Sequence, residues 1–314
     1  MKNIKEIKSI EITPFTLMAS STAALLALIY SLIVLIISGT LAFSLPQLAD
    51  FKAIIAGSGI ASVILFPITA YFNVLALGFF SALLYNLLAP RLGGIKLELE
   101  DNEITKIPIM SLSLILASIE AILAFIIGLF SAAAIIPLYA IINQFQSLNY
   151  GINEIIHIVQ MIIPISTAFG SNVFALPFFL IIGFPIIIFI LGIVSNALFA
   201  IFYNYVATRF IKIQLDFVLI SDTLYKIKSL PVVPAALPTS AAVFGAFGVI
   251  MGFFSLLSLA ITGNPSVGSI SNDIIVLIIN GLSYFIGYFL IFALVAVIYN
   301  FLAPRVGGVD LYLE

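Results

Sequence analysis

Long apolar runs alternate with short polar stretches along this chain. Six of the runs reach the roughly 20 residues that a membrane-spanning helix needs. They cover about 15–43, 65–89, 108–136, 176–207, 234–261 and 275–303. The apolar stretches of the middle third exceed a bilayer's thickness, so tilting, kinking at Pro137, Pro177 or Pro185, or protrusion is expected. Between some runs the period changes. After Gly93-Gly94, Ile95, Leu97 and Leu99 alternate with Lys96, Glu98 and Glu100, the two-residue period of a half-buried strand. Val309, Leu311 and Leu313 alternate likewise with Asp310, Tyr312 and Glu314. Asp101-Asn102 and Ser221-Asp222 read as hairpin turns. The pattern predicts that Ile95–Leu99 pairs antiparallel with Glu103–Ile107, Ile211–Phe217 with Leu224–Lys228, and Val309–Leu313 with Ser9–Thr13.

One passage recurs. Tyr85–Glu100 reads YNLLAPRLGGIKLELE, and Tyr299–Glu314 reads YNFLAPRVGGVDLYLE. A divergent copy, YNYVATRFIKIQLDF, starts at Tyr203, with Thr208 for proline and Ile211-Lys212 for the glycine pair. Helix breakers also recur at one offset: Pro67, Pro185 and Gly281 each lie 18 residues before the tyrosine of their copy. Three units follow, at 1–100, 101–220 and 221–314, each opening on a short β-like segment, a proline and a long apolar helix. The expected fold is an all-α polytopic membrane protein. Its six transmembrane helices form three parallel two-helix repeats, a common device in membrane folds, with a small cytoplasmic β collar. Within the motif, Tyr suits the lipid–water interface, Pro90 and Pro304 are expected to end their helices, and the Gly pairs supply the positive φ of the turn into a strand.

These endings resemble the close of a small prokaryotic family of two-helix membrane domains of unknown function, ending in Tyr-Asn, a spaced Ala, Gly-Gly and an alternating apolar–acidic tail. The resemblance covers the outer two units well and the middle one weakly. It implies fold and membrane location, and no activity.

Composition agrees with the pattern. Of 314 residues, 63% are hydrophobic and 8% charged, against roughly 25% charged in soluble domains, so lipid must solvate most of the surface. In the six-span arrangement every basic residue except Lys52 falls on one side, which the positive-inside rule makes cytoplasmic, with both termini there. The protein is therefore expected to be integral to the cytoplasmic membrane and multi-pass. No basic run suggests nucleic-acid binding. The apolar run after residue 14 is too long for a cleaved signal peptide.

Candidate chemistry is sparse. Cysteine is absent and histidine occurs once, which removes thiol catalysis and the usual zinc, haem and iron–sulfur sites. His157 reads as an interfacial residue. Neither a cofactor nor an enzyme is expected. Arg91, Arg209 and Arg305 are able to snorkel, and are the candidate contacts to anionic lipid or to other membrane proteins at the cytoplasmic face. Glu120 is the one acidic residue deep within an expected span. A carboxylate there is costly and marks a functional candidate, with a neutral, hydrogen-bonded side chain as the main expectation. Ala56–Gly59, Ala168–Asn172 and Gly268–Asn272 read as outer loops, with re-entrant segments as the alternative. The functional expectation is a non-catalytic scaffold or accessory subunit of a membrane complex. The rival is a pseudo-three-fold channel or transporter for a small solute or ion.

Overall fold

A backbone in hydrocarbon must satisfy its own hydrogen bonds, which leaves helices as the solution for isolated apolar segments. The computed structural model, described over residues 3–44, 52–100, 102–147, 175–262 and 270–314, has six helices long and apolar enough to cross a membrane. They are α1 (Ile12–Ser44), α2 (Lys52–Leu92), α3 (Ile109–Ser147), the composite of α4 (Ala175–Phe178) and α5 (Phe184–Tyr205), α6 (Val232–Thr262) and α7 (Ile270–Val306). The expected polytopic helical protein is therefore found.

Several boundaries depart from expectation. Ala56-Gly57-Ser58-Gly59 is neither loop nor re-entrant segment but lies within α2, which starts at Lys52. Gly59 is seated against Leu35 and Ser38 of α1, so small side chains there serve helix contact. The proposed breakers do not break: Pro67 and Pro90 lie inside α2, Pro304 and Gly281 inside α7; Pro137, an expected kink site, lies inside α3. Pro185 follows a π turn, Phe179–Gly183, which joins α4 to α5. Such a turn re-spaces the backbone bonds that a proline would otherwise interrupt. His157 and Ala168–Asn172 lie outside the described residues.

Among the described residues seven strands complete the fold: β1 (Asn3–Ile10), β2 (Lys96–Glu100), β3 (Glu103–Lys106), β4 (Ile213–Gln214), β5 (Asp216–Ser221), β6 (Leu224–Ser229) and β7 (Asp310–Leu313). They form one antiparallel sheet in the order β4-β3-β2-β1-β7-β6-β5. Two expected pairings are present, Leu99 opposite Ile104 and Ile10 opposite Leu311. The third is shifted, since β6 pairs with Asp216–Ser221, meeting the expected Ile211–Phe217 only at its end, where Phe217 stands opposite Ile227, while Ile213–Gln214 pairs with β3. The N-terminal partner is Asn3–Ile10 rather than Ser9–Thr13, because α1 already begins at Ile12. The edge strands β4 and β5 are separated only by Leu215, whose N–H donates to Asn102 O at 3.1 Å. The sheet thus curls back to the strand path on which it began.

Directly opposed residues share a face. Leu97, Ile104, Leu311 and Leu313 are buried on one face, the inner face of the curl. Lys5 and Tyr225 stand opposite Leu97 and Leu311 on that face. They meet across the intervening β7, with Lys5 Nζ donating to the Tyr225 hydroxyl at 3.1 Å. The outer face carries cross-strand charge pairs, Lys106 with Glu98 at 3.6 Å and Lys226 with Asp310 at 3.5 Å.

The chain divides into two compact units, Met1–Ile115 with Ala197–Glu314, and Leu116–Asn196. The sheet belongs to the first. There α1 lies against α2 and α7, and α6 against α7. Met18 joins Ile298, Tyr299 and Leu302 in a buried core. In the second unit Gly128 backs onto the Leu180 carbonyl, so closely that a Cβ would collide with its oxygen.

Candidate functional site

The recurrent Tyr-Asn pair is where helix and sheet are joined. The Tyr85 hydroxyl donates to Ile7 O at 2.6 Å and accepts from Ile95 N–H at 3.0 Å, spanning β1 and the start of the β2 segment. The Tyr299 hydroxyl donates to Ile227 O at 2.6 Å and accepts from Val309 N–H at 3.1 Å. Tyr203 donates to Ile104 O and accepts from Ile213 N–H at 3.1 Å. Each ring is buried, with 2%, 6% and 0% exposure respectively. The reading of these tyrosines as wet interfacial residues is therefore corrected: their hydroxyls are consumed by backbone.

The adjacent asparagines act as surrogate strand residues. Asn86 accepts from Ile10 N–H and donates to Ile10 O, both at 2.8 Å. Asn204 makes the same pair with Ile107, at 2.8 and 2.7 Å, and Asn300 with Leu230, at 2.7 and 2.8 Å. A carboxamide has the acceptor and donors for this reciprocal pairing, which an ionised carboxylate lacks. Each Tyr-Asn pair thereby fixes the last turns of a helix to the strand that opens the same stretch of sequence. The fixed ten-residue spacing from tyrosine to strand was the signal in the sequence; the asparagine's role was missed there.

The glycine pairs divide their work. Gly93 and Gly307 adopt φ of 84° and 98°, the left-handed turn expected. At Gly94 and Gly308, a Cβ would collide with the carbonyl oxygens of Ile7 and Ile227. The divergent copy turns otherwise, through the 3₁₀ turn Ala207–Arg209, with Thr208 Oγ1 donating to Asn204 O at 2.8 Å. Lys212, at the position of Gly94 and Gly308, pairs with Glu103 at 2.9 Å.

Glu6 belongs to this junction. Its carboxylate accepts from Gly94 N–H at 2.8 Å, with Lys8 at 3.3 Å. The backbone bond first, then Lys8 and the Lys96 charge, hold its carboxyl below the usual glutamate range, against a smaller opposing effect of burial. The Tyr312 phenol is held above its usual range, chiefly by its 2.9 Å hydrogen bond to Glu11.

The arginines sit apart from one another, at three helix ends. All are exposed. Arg91 Nη1 donates to Leu87 O at 2.7 Å, and Arg305 folds back likewise onto Phe301 O, its guanidinium 3.9 Å from the Phe301 ring. Glu120 lies in the Leu116–Asn196 unit, where Asn196 Nδ2 donates to its Oε1 at 3.2 Å and to Gly192 O at 2.8 Å. Gly192 is the close neighbour of Glu120 Oε2, and a Cβ there would displace the carboxyl. Among the described residues no group of three or more His, Asp or Glu side chains is placed to hold a metal.

No family model, curated protein or solved structure matches this chain.

Proposed function

We propose that this chain is a non-catalytic multi-pass membrane protein. Three fused copies of one two-helix unit close into a ring, and a cytoplasmic β collar serves as a scaffold or accessory surface of a membrane complex. The recurrence of the Tyr-Asn bonds at Tyr85, Tyr203 and Tyr299 supports the repeat reading. The resemblance of the two outer endings to the two-helix prokaryotic family is proposed on the same residues.

The observation that carries the functional reading is the collar itself. Its inner face is filled by Leu97, Ile104, Leu311 and Leu313, while its outer face presents Lys96, Glu98, Lys106, Lys226 and Asp310. A filled centre and a charged rim suit contact with other proteins better than passage of solute. Basic residues gathered on the collar's side of the spans support, by the positive-inside rule, a cytoplasmic collar with both termini beside it. Arg91, Arg209 and Arg305 are then at the inner surface, within reach of anionic lipid.

Lysine-directed cross-linking in native membranes, followed by peptide mapping, tests this role. Links from Lys96, Lys106, Lys226 or Lys228 to another polypeptide are expected; links within the chain alone would contradict it. The Glu120–Asn196 pair favours the second reading, a transporter for a small solute or ion. Glu120-dependent flux in proteoliposomes would establish that reading and overturn the first.

A further inference from the structure

The middle ending runs further from its helix than the other two. Counted from Tyr203, Val218 holds the position that Glu100 holds from Tyr85. There β2 ends, yet β5 continues to Ser221. Three further strand residues carry the β5–β6 hairpin about 10 Å past that point. The neighbour across the closure of the sheet stops short: Asn102, at the β2–β3 turn, takes the last bond, from Leu215 N–H. Among the described residues, β5 beyond Leu215 therefore has a strand on one edge only, β6. Val218, Leu219 and Ile220 are 45%, 56% and 49% exposed. Successive strand residues face opposite ways, so both faces of this segment are bare as well as one edge. Such an edge is a template for another strand, and Asp216–Ser221 carries no lysine or proline of the kind that blunts one.

We propose that the free edge of β5 docks an extended segment of a water-soluble partner protein, which adds a strand antiparallel to Val218–Ser221. The proposal rests on reading the collar as a contact surface. Three observations select this occupant. Lipid does not fit the position: β5 leads away from the end of α5 and β6 leads back to the start of α6, so the hairpin tip points away from the spans. A second copy does not fit the symmetry. Two copies inserted the same way in one membrane are related by an axis along its normal, which leaves their β5 strands running in the same sense. The chemistry of the occupant follows from β6, which already fills the opposite edge. Leu224–Ser229 alternates apolar residues with Lys226 and Lys228, and sets Lys226 opposite Val218. Asp222 is exposed at the tip, where a basic residue across from it is favourable. Main-chain bonds supply the affinity of an added strand, and its alternate side chains the specificity.

A fluorescent heptapeptide of alternating lysine and isoleucine is the probe, titrated into the full chain in nonionic detergent and read by anisotropy. Saturable binding of one peptide per chain is expected. A glutamate–isoleucine heptapeptide, or the lysine peptide with proline at its centre, should bind at least tenfold more weakly. Leu219→Lys with Ile220→Lys, both at exposed positions, should lower affinity for the lysine peptide at least tenfold. Asp222→Lys, at the exposed turn, keeps the test valid if that pair disturbs folding. It should weaken the lysine peptide at least threefold and strengthen the glutamate one. Absence of saturable binding, or binding indifferent to the proline or to a folded edge variant, would overturn the proposal. A Leu219→Cys disulfide between two copies, formed in membranes and excluding the peptide, would overturn it in favour of self-association. Links from the collar lysines to another polypeptide are read separately, so failure of the edge site and failure of the scaffold reading remain distinguishable.

Discussion

A single carboxamide or phenol decides whether a helix end and a strand stay joined. Asn300→Ala leaves Leu230 N–H and C=O without the two bonds at 2.7 and 2.8 Å. Each abandoned backbone group costs about 1–3 kcal/mol, so a loss of about 2–6 kcal/mol is expected in reversible unfolding in mixed micelles. Tyr85→Phe should cost a similar amount, since it abandons Ile7 O and Ile95 N–H together. A change under ~0.5 kcal/mol in both would mean that water replaces the side chains. Glu120 should behave differently. A neutral carboxyl and an amide have similar size and bonding capacity, so Glu120→Gln should keep the Asn196 contact and change unfolding by less than ~1 kcal/mol. A larger loss would mean that an amide does not reproduce the contacts of the Glu120 carboxyl. The sequence identified Tyr85, Tyr203 and Tyr299 by repetition, yet repetition alone could not tell a wet phenol from a buried one. The burial comes from strands arriving from residues about 75 to 100 positions away, as in the Tyr85–Ile7, Tyr203–Ile104 and Tyr299–Ile227 bonds.

Among the elements, the strands that follow the glycine pairs were legible, whereas the bounds of the N-terminal and middle strands and the helix ends were not. The two-residue alternation of Ile95–Glu100 fixed which face is buried, and the structure buries Leu97 there. Gly57 and Gly59 misled, because small residues in a soluble context signal loops, whereas Gly59 admits Leu35 from a neighbouring helix. Prolines misled for a related reason. A lone Pro67 does not halt a helix that has no water to turn toward, and α7 runs only as far as Val306 beyond Pro304. The β1–β2 junction carries a pH dependence. Because the folded state holds Glu6 below the usual glutamate range, its contribution is complete above the unfolded value, about 4.3. That contribution is lost as pH falls through the lower folded value. Acid should therefore loosen the sheet before the helices. Hydrogen exchange at the Gly94 and Ile95 amides should accelerate below about pH 4 relative to the intrinsic rate, and Glu6→Gln should remove most of that pH dependence. An unaltered acid profile in Glu6→Gln would assign the effect elsewhere.

At the scale of the whole molecule, polarity gathers at one end of the helices, and the two ends of the chain meet there. The orientation has a direct check, made clean by the absence of native cysteine. Lys96→Cys and Lys226→Cys should resist an impermeant thiol reagent in intact cells, while Lys52→Cys labels. The reverse pattern would invert the topology. The pairing of β1 with β7 was legible only through the repeat. No local signal joins residues about 300 positions apart; the proposed ring of three units brings them together, at a loop-closure cost that grows slowly with length. Closure also removes the open edges that β1 and β7 would otherwise present. Ser9 and Tyr312 are opposed in this pair, and the most direct test joins them covalently. With Ser9→Cys and Tyr312→Cys in one chain, mild oxidation in membranes should form a disulfide within single molecules. The yield should match that of a control pair, Leu99→Cys with Ile104→Cys, across the β2–β3 hairpin. Efficient control cross-linking with no 9–312 bond, or with that bond only between molecules, would contradict the closed ring.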